Sequence, residues 1–262
     1  MRKIVIGFIV LVVLLVVLAR IFTPAPSPPP LRLHAGQTLK VTLIQTIVGK
    51  ASAQRSQPLD GNYTIHETYL VKSVAPNGDI TIQVTVLDIT GQSANGPVQT
   101  QVPDPWQFTI DQQYRLLSGN VWPLVGNNSV APFADDFCLP LETTFKSNSK
   151  YPSPITIKRT GAQAPYMLDV TVGAFAANQP ISLSGQGTYK YTSTELRGAV
   201  TVTSNGTVTK NATCIYDPRL GRPLSEQSQV TFSTQQIFTL SGGTQSTTTS
   251  GTITTSIVYS AA

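Results

Sequence analysis

The chain has 262 residues, of which only 12% are charged, well below the quarter that is usual in soluble domains. The formal net charge is +5, but Arg2, Lys3 and Arg20 supply three of these charges, so the rest of the chain carries about +2. No basic cluster larger than Lys158-Arg159 occurs. Because nucleic-acid binding requires a concentrated positive surface, this composition excludes it.

The N-terminal segment is long and apolar enough to span a membrane. Residues 4–22 contain a single charge, Arg20, close to the outer end where its guanidinium can reach the headgroups. As an α-helix they extend about 28 Å, close to the thickness of the hydrocarbon core. Arg2 and Lys3 favour a cytoplasmic N-terminus and an extracytoplasmic chain beyond the helix. We therefore predict a single-pass membrane anchor over residues 1–22.

A cleaved signal peptide is the alternative, since Val17-Leu18-Ala19 would fit a cleavage site. Cleavage near Ala19 would secrete the rest of the chain. Residues 23–30, TPAPSPPP, follow; five of the eight are proline, which predicts a stiff spacer of about 25 Å. A stiff spacer has a clearer purpose if its inner end is held, so we prefer the anchor. Both interpretations export residues 31–262.

Residues 31–262 alternate between apolar and polar side chains, which predicts an all-β domain. Leu39, Val41 and Leu43, for example, fall on one face of the first strand. Asn77-Gly78 predicts the turn of a hairpin, because it supplies positive-φ residues. Large sheets must curl, pack or close to protect their edges. We therefore expect an antiparallel meander that forms a curled sheet, a half-barrel or a sandwich.

Several finer features follow from the same alternation. Residues 107–117 are predicted as one strand, and Asn205-Gly206 as a turn. The alternation fails over residues 118–149, where we expect a long crossing loop between two halves of the domain. The last strand, Gly251–Ser260, is a candidate free edge that could pair with a neighbour.

Two cysteines, Cys138 and Cys214, are predicted to form a disulfide, because an even count in an exported chain favours a bridge. In the chain-entropy model, closing the loop between them would stabilise the folded state by about 4.5 kcal/mol. The alternative is two buried free thiols. No other Cys and no nearby His can complete a zinc site, and Asp135-Asp136 is best interpreted as a solvated loop. We predict no metal and no cofactor.

The residues for catalysis are few, and we predict that the protein is not an enzyme. Only two histidines exist, His34 and His66, and no G-x-S-x-G motif accompanies them. Tyr189 and Tyr191 share one face of a strand, where core packing is a more frequent role than recognition. Four N-x-S/T sequons matter only in a source that glycosylates exported proteins; they begin at Asn62, Asn127, Asn205 and Asn211.

Near the C-terminus, a strand ends in Tyr216-Asp217-Pro218, turns through Gly221 and returns as a long polar strand from Ser225. Together with the hairpin at Asn77-Gly78, this pattern resembles exported bacterial all-β proteins of unassigned function. Some of these are similar to the half-barrel of the lipoprotein-carrier family. The resemblance implies a sheet wrapped around an apolar cavity, and it transfers no functional residue.

These observations lead us to expect a membrane-tethered extracytoplasmic domain that binds an envelope partner or an apolar, lipid-like ligand. A structural or adhesive envelope protein without a ligand is the alternative, and a hydrolase is a third, disfavoured one. A carrier predicts an apolar concave face that is open to solvent. A structural module predicts a filled core and a free edge strand, and a hydrolase requires His34 or His66 beside a Ser or carboxylate in a cleft.

Overall fold

The computed structural model describes residues 32–262 except 53–55, 59, 94–95, 98–101, 120–145, 160–161 and 177–178. The described residues form β-strands and no helix, which confirms the prediction of an all-β domain. None of them belongs to a helix that could cross a membrane. The predicted anchor and linker, residues 1–30, lie outside the described residues.

The strands follow one another along the chain with short connections. Their bounds are β1 Thr38–Ser52, β2 Ser56–Pro58, β3 Gly61–Val74, β4 Ile80–Ser93, β5 Gly96–Pro97, β6 Trp106–Ile110, β7 Leu116–Gly119, β8 Lys150–Arg159, β9 Ala162–Val172, β10 Ile181–Arg197, β11 Val200–Asp217, β12 Arg222–Leu240 and β13 Gly243–Ala261. Together they build one antiparallel sheet that is not closed, in the order β7-β6-β4-β3-β1-β13-β12-β11-β10-β9-β8, with β2 beside β1 and β5 beside β4.

This order places the last strand in the middle of the sheet. The ladder between β1 and β13 runs from Leu39↔Ala261 to Ser52↔Thr248, and β12 pairs with the other side of β13. The prediction that Gly251–Ser260 is a free edge is therefore wrong. Both neighbours of β13 are long strands, so its backbone groups are satisfied on both sides.

The two edges of the described sheet are β7 and β8. Strand β7 has only four residues. Just before β8, Ser149 O accepts a hydrogen bond from Val172 N. The alternation of an antiparallel ladder then points the nitrogens of Pro152 and Pro154 away from β9. A proline has no N–H to donate, so this edge is a poor template for another strand.

The sheet has an apolar inner face and a polar outer face. Leu39, Val41 and Leu43 are all buried on the inner face, as the alternation predicted. Tyr114, in the turn between β6 and β7, packs edge-to-face against Tyr216 of β11, with ring centroids 6.1 Å apart. Because β6 and β11 are far apart in the strand order, this contact shows that the sheet bends over its inner face.

The hairpin at Asn77-Gly78 is confirmed: β3 and β4 flank it, and Gly78 has a φ of 88°. The turn predicted at Asn205-Gly206 is wrong, since β11 runs through both residues. Gly206 is needed there because a Cβ would collide with the ring of its cross-strand partner Tyr191. An aromatic ring that covers a glycine of the neighbouring strand keeps that position in the sheet.

Residues 107–117 form two strands, β6 and β7, rather than the one predicted. Asp111 ends the first strand, because its Oδ1 accepts hydrogen bonds from the backbone N–H groups of Gln113 and Arg115, at 2.8 and 2.9 Å. Tyr114 completes the turn with a φ of 63°, and its buried ring stabilises this uncommon backbone conformation. The apolar alternation resumes in phase after Gln112, at Tyr114 and Leu116, so the sequence pattern did not reveal the turn.

The segment with Tyr216, Asp217 and Gly221 forms the turn between β11 and β12. Asp217 accepts a hydrogen bond from Arg219 N at 2.8 Å, and the side chain of Arg219 also holds the pKa of that carboxyl below its usual value. Gly221, with a φ of 62°, accepts a hydrogen bond from Arg32 N through its carbonyl at 3.0 Å. The chain therefore enters the sheet at this turn.

Candidate functional site

A groove of about 650 Å³ lies on the outer face and crosses β8 to β13. Two parallel rows of polar side chains line it, with one residue from each strand that they cross. We call the first the amide row: Asp169, Gln186, Asn211, Gln229 and Thr254. We call the second the hydroxyl row: Lys150, Thr171, Ser184, Thr213 and Gln227.

Strand alternation and register produce both rows. Asn211 stands directly opposite Gln186 on one side and Gln229 on the other, so the three amides share a line across the strands. Neighbouring strands are about 4.8 Å apart, and two residues along a strand span about 7 Å, which gives the spacing within and between the rows. All members of the amide row are exposed.

The groove offers hydrogen bonds and little net charge. Amide and hydroxyl groups can each donate and accept, so a row of them suits a ligand with the same capacity. The charged side chains of the lining, Lys150 and Asp169, have opposite signs and stand at the β8–β9 end. Among the described residues, the lining contains one carboxylate and no histidine, so they can bind a ligand by hydrogen bonds but do not pair a general base with a histidine or second carboxylate.

The inner face carries three charged residues that the sequence analysis did not single out. Glu67, Lys210 and Glu226 are 1–3% exposed, and Lys210 Nζ lies 3.9 Å from Glu226 Oε1. Burial raises the pKa of Glu67 to about 7, although a hydrogen bond with Tyr69 lowers it. Their inward positions in the alternation were the available signal, but an alternating pattern predicts the buried face from its apolar members alone.

The apolar side chains of the inner face are closed off from solvent. Val84, Val170 and Leu183 have no exposed surface, and the other apolar members of the core are nearly as buried. The groove lies on the opposite face of the sheet. The described residues thus form a packed interior with a polar groove outside it, rather than the open apolar concave face that a carrier predicts.

The histidines lie apart from the groove. His66 Nδ1 is 2.8 Å from Asp88 Oδ1 on the outer face, and both side chains are about half exposed. A carboxylate is within reach, as a hydrolase would require, but the pair stands on an open surface rather than in a cleft. His34 is exposed where the chain enters the sheet.

The two tyrosines belong to the core. The rings of Tyr189 and Tyr191 lie 6.0 Å apart and are buried on the inner face. The hydroxyl of Tyr191 also forms a hydrogen bond of 2.8 Å with Thr234. Packing rather than an exposed aromatic platform is therefore the role that their position supports.

The predicted disulfide involves one described residue. Cys214 is fully buried on β11, on the inner face. Cys138 lies outside the described residues, as does Asp135-Asp136, so the bridge stays a prediction. In the part of the chain that the structure describes, no three His, Cys, Asp or Glu side chains form a group that could hold a metal ion.

Neither a scan against protein-family models nor a search of curated proteins finds a match for this sequence. The resemblance to exported bacterial β proteins therefore stays a prediction. A function must therefore be inferred from the geometry of the groove and from the predicted tether.

Proposed function

We propose that the protein is a membrane-tethered extracytoplasmic domain that binds a polar partner or ligand of the cell envelope without transforming it. The observation that carries this proposal is the pair of aligned polar rows in the groove. A binding surface needs convergent hydrogen-bonding groups more than it needs titratable ones. The lining supplies amides and hydroxyls from five consecutive strands, β9 to β13.

We infer that the curled sheet is a half-barrel whose interior is filled by its own side chains. The contact between Tyr114 and Tyr216 supports the curl, and the burial of Val84 and Leu183 supports the filling. An apolar ligand would have to displace these side chains, and removing apolar packing is unfavourable. A polar ligand in the groove requires no such change, which is why we prefer it to the lipid-like ligand.

The proposed tether would hold the groove at a defined height. The backbone N–H of Arg32 donates a hydrogen bond to the carbonyl of Gly221 at the turn between β11 and β12, and the next residue, Leu33, is buried. Thr213 and Gln227 of the groove lie only a few residues from this turn. With a proline spacer of about 25 Å below it, the groove would stand clear of the lipid headgroups.

A structural or adhesive role remains the second proposal, and the sheet edges favour it less. Strand β7 is short, β8 carries Pro152 and Pro154, and β13 is internal. Pairing of sheets edge to edge needs a continuous row of free N–H and C=O groups. A hydrolase is weaker still, because the His66–Asp88 pair is outside the groove.

The test is a thermal-shift comparison of the full chain in lipid nanodiscs with polar and apolar probes. Glucose, N-acetylglucosamine and glycerol are the polar probes, and palmitate is the apolar one. We expect a polar probe to raise Tm and Gln229→Ala to remove that rise, since ligands that bind only the folded state stabilise it. Gln235→Ala is the matched control, because Gln235 is exposed on the same face of β12 beyond the groove. A Tm rise with palmitate alone would contradict the proposal.

A further inference from the structure

The following inference rests on the proposed function and specifies its ligand. We propose that the groove binds a linear, uncharged polysaccharide that lies across the strands, parallel to the amide row.

The amide row is repetitive along one direction. Gln186, Asn211 and Gln229 occupy matching positions on three consecutive strands, and each presents the same functional group after a step of about 4.8 Å. A site for a compact small molecule instead brings different polar groups together at one point. A row of equal groups suits a ligand that repeats the same groups along its length, which is a polymer.

The row also continues beyond the groove. Thr254 stands opposite Thr46 of β1, and Thr46 stands opposite Asn62 of β3. Both added residues are exposed on the outer face. From β9 to β3 the row therefore crosses seven consecutive strands, a track of about 29 Å at the usual strand spacing. Such a track is longer than a single sugar unit can fill.

The low net charge of the groove favours an uncharged polymer. Lys150 and Asp169, which have opposite charges, both lie at one end of the groove, and the middle of both rows is neutral. Lys210 is adjacent in sequence to Asn211, but it is buried on the inner face near Glu226 and cannot meet a ligand in the groove. A polyanion would require exposed cations along its path. Sugar hydroxyls both donate and accept, as the amides and hydroxyls of the groove do.

An extended peptide is the competing polymer, and the backbone of the groove disfavours it. Peptides that add to sheets bind at an edge, where free N–H and C=O groups give the affinity. Of the strands that the groove crosses, β9–β13 pair with neighbours on both sides, and the edge strand β8 has Pro152 and Pro154 without N–H groups on its free side. A peptide here would find only side-chain partners and would lack the backbone ladder that gives edge binding its affinity.

The experiment measures affinity against ligand length. The full chain in lipid nanodiscs is titrated with two neutral series, β-1,4-linked glucose and β-1,4-linked N-acetylglucosamine, from one to six units. An anionic galacturonate hexamer and a neutral Gly-Ser decapeptide are the comparison ligands. We expect the affinity for at least one neutral series to rise tenfold or more from two to six units, because each added unit reaches another strand.

The variants locate the binding and separate the two proposals. Gln186→Ala and Asn211→Ala should each weaken hexamer binding about fivefold, the effect of one lost hydrogen bond, whereas Gln235→Ala should not. If single sugars bind in a way that these variants weaken, and the affinity does not rise with chain length, the polysaccharide proposal is wrong and the proposed function is retained. Preference for the anionic hexamer or the decapeptide would also overturn the polysaccharide. If no probe binds in a way that these variants change, both proposals fail.

Discussion

Lys210 and Asn211 are neighbours on β11, yet they stand in opposite environments. Asn211 is exposed in the groove, and Lys210 is buried with Glu226 on the inner face. The same contrast separates Glu226 from Gln227 on β12. The comparison shows that polar residues in one strand serve two purposes. Those on the outer face are available to a ligand at little expense in stability, and those inside affect stability and its pH dependence.

The largest expected effect comes from breaking the buried pair. Lys210→Met should lower the free energy of unfolding by about 3–5 kcal/mol, because it leaves the buried Glu226 without its nearby cation. Urea denaturation of the full chain in nanodiscs measures this change. Lys210→Met combined with Glu226→Gln should recover most of the loss, since a buried pair replaced as a whole is often tolerated. If Lys210→Met alone is as stable as the parent protein, the pair of Lys210 and Glu226 does not stabilise the fold.

The next effect concerns pH and Glu67. Its pKa rises from 4.5 to about 7 on folding, so between these values the folded state binds more protons than the unfolded state. The free energy of unfolding should therefore fall as pH increases from 4.5 to 7, by about 3 kcal/mol in total at 1.36 kcal/mol per pKa unit. Glu67→Gln should remove this fall and stabilise the protein above pH 7.

Urea denaturation at a series of pH values between 4 and 8 tests this expectation. Asp88→Asn is the control, because Asp88 is half exposed on the outer face. If Glu67→Gln leaves the pH dependence of the parent unchanged, the assignment of that dependence to Glu67 is wrong.

The smallest of the three effects concerns the close packing of strands at the inner face. Gly206→Ala should destabilise the protein by about 1–3 kcal/mol, because the added Cβ collides with the ring of Tyr191. Gly242→Ala is the matched control and should change stability by less than about 0.5 kcal/mol, since nothing lies within 4 Å of its Cβ position. Thermal unfolding of both variants measures the difference. If both lower stability equally, the close contact between Gly206 and Tyr191 is not the cause.

Much of the strand pattern could be predicted, because alternation is a local property. The inward positions of Leu39, Val41 and Leu43 and the hairpin at Asn77-Gly78 were correct for that reason. Asn205-Gly206 shows the limit of the same reasoning. The pair has the residues of a tight turn, but the ring of Tyr191 on the neighbouring strand makes glycine the residue that fits a continuous strand.

The candidate site could not be predicted from the same pattern. Gln186, Asn211 and Gln229 are separated along the chain and share no motif, and each is an ordinary outward residue of its strand. They meet in one row because the registers of β10, β11 and β12 align them. Register follows from turn lengths and from long-range pairing, which a single strand does not encode.

The sequence by itself determined that the described chain is all-β, which face of each strand is apolar, and that the chain has few groups for catalysis. Only the tertiary structure decided that the last strand pairs with the first, that Lys210 and Glu226 meet inside, and that the polar residues outside form a groove. The physical reason is the range of the interactions. Side-chain alternation acts over two residues, whereas the pairing of β1 with β13 joins residues that are about two hundred positions apart.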